Sequence, residues 1–215
     1  MNFKYAVFDL DGTLLDTQKY WDKLEREVLG RRFGVDMFND ENGNYIQFNS
    51  LKAMFELAMK RTGKTISLEE VLDELYELMS DIYKNGDIET MPKSKEFLVE
   101  LKKQGIKTAL ATATNISVCK PALERMGLLP YLDVLVCTDD VGKNKYHPDV
   151  FDRAMNLIGG NKEETMVFED SLYAATTLKN NGFRFTIIDE EGNLCCTDEI
   201  KDGCENYIKS YEELL

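Results

Sequence analysis

Hydrophobic positions along this chain follow two different periods. Between about residues 16 and 89, apolar side chains recur every three or four positions, the spacing of helices with one buried face. Trp21, Leu24 and Val28 predict a first helix ending near Gly30 or Gly34. Leu51, Met54, Phe55 and Ala58 predict a second over about 51–61, closed by Gly63. Ser67 and Glu70 stand at the capping-box spacing and open a third. Its stripe is Leu68, Val71, Leu72, Leu75, Met79 and Ile82, and Asn85-Gly86 stops it. The Asn-, Asp- and Gly-rich stretch 36–49 reads as a loop. Its Asp40-Glu41-Asn42-Gly43 superficially suits a calcium loop. With Gly43 at the sixth position, however, Phe38 and Asn49 fall where the first and last ligands must be, so that reading is rejected. Residues 16–89 are therefore expected to be a bundle of helices without strands.

On either side the pattern changes to short apolar runs alternating with helical stripes. Tyr5–Phe8, Ile106–Ala111, Asp133–Cys137, Thr165–Phe168 and Phe183–Ile188 read as buried strands. Helices are predicted from Pro92 through Phe97, Leu98 and Leu101, from Ser117 to Met126, from Pro148 through Phe151, Ala154 and Ile158, and from Leu172 to Asn181. Strands alternating with helices imply parallel pairing through right-handed crossovers, an α/β class. In the tail, Asn206-Tyr207-Ile208 reads as a short edge strand and Ser210 as the cap of a final turn.

Composition narrows the function. The 215 residues carry a net charge of -13, which argues against nucleic-acid or anionic-membrane binding. A small anionic substrate stays open, because a bound cation and one lysine can reverse a local field. No apolar stretch is long enough to span a membrane, and the first residues lack the pattern of a secretory signal. The five cysteines, Cys119, Cys137, Cys195, Cys196 and Cys204, form no CxxC pair and no zinc spacing, so reduced thiols and a cytoplasmic location are expected. The single histidine, His147, has no GxSxG motif near it, which disfavours a Ser-His-Asp hydrolase.

The chemistry concentrates where strands end. Asp9 and Asp11 follow the first strand, two residues apart, and Gly12 turns the chain away. Alone, Asp9-Leu10-Asp11-Gly12-Thr13 reads equally well as a turn or as a metal-dependent site with one carboxylate left to react. Thr112 closes the second strand, Lys143 and Lys145 lie beyond the third, and Glu169-Asp170 follow the fourth. Open parallel sheets bind ligands at this rim. Singly, Thr112 could be a helix cap, Lys145 a solvated lysine, and Glu169-Asp170 an acidic helix start favoured by the dipole. Together they bring nucleophile, acid, hydroxyl, cation and metal ligands to one edge.

In the order and spacing of these residues the chain resembles the haloacid dehalogenase-like phosphohydrolases. Asp9-Leu10-Asp11-Gly12-Thr13 fits that family's first motif and Thr112 its second. Lys145-Tyr146-His147-Pro148-Asp149-Val150-Phe151 is similar to the third, with Tyr146 where proline is usual, and Phe168-Glu169-Asp170-Ser171 fits the fourth. Lys143 competes with Lys145 by position, but the Pro-Asp-Val-Phe that follows keeps Lys145 in register. The resemblance implies a Rossmann-like, three-layer α/β/α core of residues 1–15 and 90–215 with an inserted helical cap of residues 16–89. The cap resembles the subgroup of phosphoglycolate phosphatase and beta-phosphoglucomutase. Many such caps carry a GxxR segment whose arginine reaches the substrate; the corresponding Tyr45-Ile46-Gln47-Phe48-Asn49-Ser50 has neither glycine nor arginine.

What the resemblance implies is hydrolysis of a small phosphorylated metabolite through an aspartyl-phosphate, with Mg2+ as cofactor. Asp9 would attack phosphorus, Asp11 would act as acid and then base, and Thr112 and Lys145 would bind the phosphoryl oxygens. Asp9, Asp170 and the backbone carbonyl of Asp11 would hold the metal, with Glu169 either an additional ligand or an outer group. Asp16 and Thr17 would hinge the cap, and a monomer is the default. A sugar phosphomutase using the same core is the alternative; a phospho-accepting signalling domain is a more remote one. A dehalogenase is disfavoured by Asp11.

Overall fold

Among the described residues, six strands carry the apolar runs: β1 (Tyr5–Phe8), β2 (Lys107–Thr112), β3 (Val134–Cys137), β4 (Thr165–Glu169), β5 (Arg184–Ile188) and β6 (Asn206–Ile208). They form one parallel sheet in the order β3-β2-β1-β4-β5-β6. The helices are α1 (Gln18–Phe33), α2 (Leu51–Thr62), α3 (Leu68–Asn85), α4 (Ser94–Lys103), α5 (Ile116–Arg125), α6 (Asp149–Leu157), α7 (Leu172–Asn180) and the short α8 (Asp198–Lys201). The computed structural model describes residues 1–46, 51–189 and 198–215. Cys195, Cys196 and positions 47–50 of the segment compared with GxxR lie outside the described residues. Among the described residues, no helix is long and apolar enough to cross a membrane.

The chain divides into two units, Met1–Thr17 with Asp87–Leu215, and Gln18–Gly86. In the first, the period of two along each strand builds both faces of the sheet. Val7, Ala109, Val136, Val167 and Phe185 face α6 and α7, where Phe151, Ala154, Ala175 and Leu178 complete the layer. Phe8 turns to the other face, with its ring stacked on Phe168 at 4.5 Å between centroids. Phe97 of α4 meets Phe168 edge-on at 5.4 Å, and Tyr211, at the start of a last 3-10 turn (Tyr211–Leu214), lies 5.1 Å from Phe97. Burying such a ring contributes ~2 kcal/mol, and a well-placed ring pair ~1 kcal/mol more.

The second unit packs α1, α2 and α3 around Val28, Leu29, Phe33, Met54, Phe55, Ala58, Val71 and Leu75. Its third helix is rotated slightly from the expected stripe. Val71, Leu75 and Met79 are fully buried, but Leu68 is 38% exposed, and Tyr83 rather than Ile82 completes the row. The buried row steps by four residues because it follows the ridge that meets α1. There the Trp21 indole donates to the Tyr83 hydroxyl at 3.2 Å. Periodicity also missed Arg26, which is buried on α1. Its Nε donates to both Asp22 carboxylate oxygens at 2.9 Å, and its Nη1 donates to the carbonyls of Met37 and Ile46, each at 2.9 Å. The Tyr45 ring lies 4.5 Å from the guanidinium carbon. The arginine thereby ties the loop after α1 to the helix. In that loop Asp40 accepts from the amides of Asn42 and Asn44 at 2.8 and 2.9 Å, closing an Asx turn.

Candidate active site

Strand order reverses direction at β1, which has β2 on one side and β4 on the other. Connections leave this switch point to opposite sides, opening a crevice at the carboxyl ends of the strands. The registers set Phe8 opposite Phe168, so Asp9 and Glu169 stand side by side, and opposite Leu110, two residues before Thr112 at the end of β2. The Asp9 amide donates to the Phe168 carbonyl at 3.0 Å, extending the ladder and fixing where its carboxylate emerges. Gly12 then turns the chain at φ 82°, where a side chain would cost ~1–2 kcal/mol, and its amide closes onto Leu15 O at 2.8 Å.

Asp9, Glu169 and Asp170 are all buried here, and one carboxylate oxygen from each lies within 4.8 Å of the others. Lys145 reaches in from the loop before α6, with its ammonium donating to Asp9 Oδ1 and, at 2.6 Å, to Glu169 Oε1. Glu169 Oε2 accepts three further hydrogen bonds, from the amides of Asp170 and Ser171 and from Ser171 Oγ, each at 2.9 Å. So many donors occupy Glu169 that it orients Lys145 and the turn after β4, and little lone-pair capacity is left for a ligand. Thr13 Oγ1 donates to Asp170 Oδ1 at 3.1 Å.

Asp11 is held at both oxygens. Thr17 Oγ1 donates to Oδ1 at 2.5 Å and Thr114 Oγ1 to Oδ2 at 2.9 Å. Thr112 is buried, and its hydroxyl accepts from the Thr114 amide at 3.0 Å, which leaves the hydroxyl proton for another acceptor. Lys143 points elsewhere and pairs with Asp149 at 2.7 Å. His147 is exposed. Asp16 and Thr17 lie where the chain leaves the first unit, and the Asp16 amide donates to Glu89 O at 3.0 Å, joining the outgoing and returning strands of chain.

The charge balance is uneven. Burial pushes the Asp9 carboxyl up to about 7, with Glu169 and Asp11 adding to the rise and Lys145 opposing it. Burial works against the charged form of Lys145 too, but Asp9 and Glu169 outweigh it and hold the ammonium well above its ordinary value. One fixed cation thus faces several carboxylates in a desolvated pocket. Hard oxygen donors with an excess of negative charge suit Mg2+, and the residues present fit that ion.

The six residues expected from the sequence, Asp9, Asp11, Thr112, Lys145, Glu169 and Asp170, come to one crevice. The supporting hydroxyls of Thr13, Thr114 and Ser171 are not among the residues the sequence points to. Thr13 stood within the first motif, and Thr114 lies two residues beyond Thr112. The same i, i+2 logic that pairs Asp9 with Asp11 could have drawn attention to it.

The family model of haloacid dehalogenase-like hydrolases matches residues 6–188. The chain is similar to a phosphorylated carbohydrates phosphatase of Thermotoga maritima, 27% identical over 180 residues, covering 82% of this chain and 81% of that protein. It is also similar to the pyrophosphatase PpaX of Halalkalibacterium halodurans, 25% identical over 190 residues, covering 87% and 84%. Among solved structures, CbbY from Rhodobacter sphaeroides in complex with phosphate superposes with a TM-score of 0.77 at 23% identity, over 99% of this chain and 96% of that one, a likeness of fold. A match running from β1 through β5, with the motif residues gathered at the sheet's switch point, places this chain in the haloacid dehalogenase-like hydrolase family.

Proposed function

We propose that the protein is a magnesium-dependent phosphatase that releases phosphate from a small phosphorylated metabolite through an aspartyl-phosphate on Asp9. The observation that carries this reading is the surplus of buried carboxylate around a single lysine at the switch point of the sheet. The names of the curated relatives, a phosphorylated carbohydrates phosphatase and a pyrophosphatase, support phosphate-ester or anhydride hydrolysis over the mutase alternative. Membership in a hydrolase family likewise disfavours a signalling receiver.

Held by Asp9, Asp170 and the backbone carbonyl of Asp11, Mg2+ would offset the repulsion between an anionic nucleophile and an anionic phosphate. Asp9, ionised once that charge is present, attacks phosphorus without a separate base. Lys145 and the free hydroxyl proton of Thr112 bind the phosphoryl oxygens, over which charge is spread in the transition state. Asp11 protonates the leaving oxygen and then takes a proton from the attacking water, help typically worth ~100- to 10,000-fold. Glu169 keeps Lys145 aimed at the reacting group. The helical unit, residues 16–89 in this reading, acts as a cap hinged at Asp16 and Thr17 that excludes water and contacts the leaving group. The enzyme works as a cytoplasmic monomer.

A screen for phosphate release across sugar phosphates, phosphoglycolate-like acids, nucleotides and pyrophosphate, with Mg2+ and with excess chelator, tests this. Turnover confined to the magnesium arm is expected. Full activity in chelator would overturn the metal's role, and sugar-phosphate isomerisation without phosphate release would overturn hydrolysis.

A further inference from the structure

The C-terminal turn reaches the candidate site from behind. Ser210 caps that turn, with its Oγ accepting from the Glu212 amide at 3.1 Å and donating to Pro92 O at 3.3 Å. The Tyr211 amide donates to the same Pro92 carbonyl at 3.1 Å, so the turn is docked beside the start of α4. From there the Tyr211 side chain runs inward and is fully buried against Phe8, Phe97 and Phe168. At its tip the hydroxyl donates to the backbone carbonyl of Thr13 at 3.1 Å. Thr13 is itself fully buried, and its hydroxyl donates to Asp170 Oδ1. A ring rigidly wedged among three phenylalanines thus pins one end of a residue whose other end fixes a carboxylate of the proposed metal site.

This arrangement is more than packing. Phenylalanine would fill the same aromatic layer, yet this position carries a hydroxyl and directs it at the loop of the first motif. The neighbouring carbonyl, Leu14 O, is held separately by the Met91 amide at 2.9 Å and Ser94 Oγ at 3.0 Å. Two successive carbonyls behind Gly12 are therefore fixed from outside the loop, by segments distant in sequence. The loop's own hydrogen bonds tie its amides, with those of Thr13, Leu14 and Leu15 meeting Leu10 O at 3.3, 2.8 and 2.9 Å, so its outside partners act on the carbonyls. Groups that orient a ligand from one shell out typically change metal affinity by ~10- to 100-fold when removed.

We propose that Tyr211 is a positioning residue for the metal site, acting through the Thr13 carbonyl to set the Thr13 hydroxyl on Asp170. The inference rests on the proposed magnesium-dependent function. It assigns the C-terminal turn a role in catalysis that its place at the far end of the chain does not suggest.

The test is calorimetric titration of Mg2+ into the 215-residue protein, its Tyr211→Phe, Thr13→Val and double variants, with melting temperature and phosphate release measured alongside. Tyr211→Phe is expected to weaken Mg2+ binding about 10-fold. The KM for Mg2+ should rise by a similar factor while kcat at saturating Mg2+ changes little, and the metal-free melting temperature should shift only slightly. Thr13→Val, which keeps the backbone carbonyl but removes the hydroxyl, should weaken binding at least as much, and adding Tyr211→Phe to it should cost little more. Thr13→Ser should restore most of the affinity. Wild-type Mg2+ affinity in Tyr211→Phe, or additive losses in the double variant, would overturn the inference while leaving the proposed function standing. Wild-type affinity in Thr13→Val overturns it even if Tyr211→Phe fails to fold. Absence of Mg2+ binding by the unmodified protein would instead remove the functional reading, and this inference with it.

Discussion

Lys145 and Arg26 are both cations buried to 2% exposure, one in each unit of the chain, and they differ in what surrounds them. Arg26 is neutralised locally, by Asp22 on its own helix, two carbonyls and the face of Tyr45. Every group in that set lies within the helical unit, and the set is balanced. Lys145 sits between Asp9 and Glu169 at a crevice that also gathers Asp11 and Asp170. Here carboxylates outnumber the cation, and burial raises rather than lowers the proton affinity of Asp9. A buried charge that is fully paired fixes architecture, whereas a surplus of one sign in a desolvated crevice stores a demand for a ligand.

The sharpest way to break this contrast is Asp9→Asn. If the surplus charge is catalytic, turnover should fall on the order of 10,000-fold in a phosphate-release assay, with the fold intact by circular dichroism. Substantial residual turnover would reduce the crevice to an electrostatic curiosity. Arg26→Met probes the other side. It removes the donor to the Met37 and Ile46 carbonyls and leaves Asp22 with the Tyr45 hydroxyl in place of the guanidinium, so urea denaturation should report a loss of about 3 kcal/mol. Mg2+ binding by the variant should be unchanged, and a loss of both properties would show that the units are not separable in this way.

Smaller effects refine the picture. Thr114→Val removes the hydroxyl that donates to Asp11 Oδ2. A hydrogen bond to a charged group is worth ~1.5 kcal/mol, so kcat should fall about 10-fold with KM little changed. An unchanged kcat would mean that Asp11 is oriented without Thr114. The least expected effect is a pH dependence seated in the helical unit. Burial, with Asp22 adding and Arg26 opposing, pushes Glu25 from 4.5 up to about 8. The folded protein then keeps a proton there that the unfolded chain has released, so this stability is full below pH 4.5 and is lost as pH rises towards 8. Glu25→Gln should flatten that slope and stabilise the protein above pH 8 by on the order of 1 kcal/mol, the half-buried group being partly screened. A parallel slope in parent and variant would remove Glu25 as its source.

The core was legible because its signals are local and redundant. Apolar runs such as Tyr5–Phe8 and Thr165–Glu169 ended in chemically distinctive residues, and alternation with helices dictated parallel order. Arg26 was illegible because a charged residue at a helical position reads as solvated; only the loop that folds over it, through Met37 and Ile46, turns it inward. The hydroxyls of Thr13 and Thr114 had no signature of their own, since threonine is common in turns and what matters is the carboxylate each one meets.

The sequence by itself determined the strands, the helical insert, the family and the six residues that meet at the crevice. Hydrophobic period and motif spacing are properties of neighbouring residues and survive without coordinates. Only the tertiary structure decided that Lys143 turns away to Asp149, that Glu169 spends its acceptors on Lys145 and its own turn, and that Tyr211 stands behind Thr13. Those contacts join positions far apart in the chain, and no local pattern encodes which of several similar side chains the packed sheet will bring together.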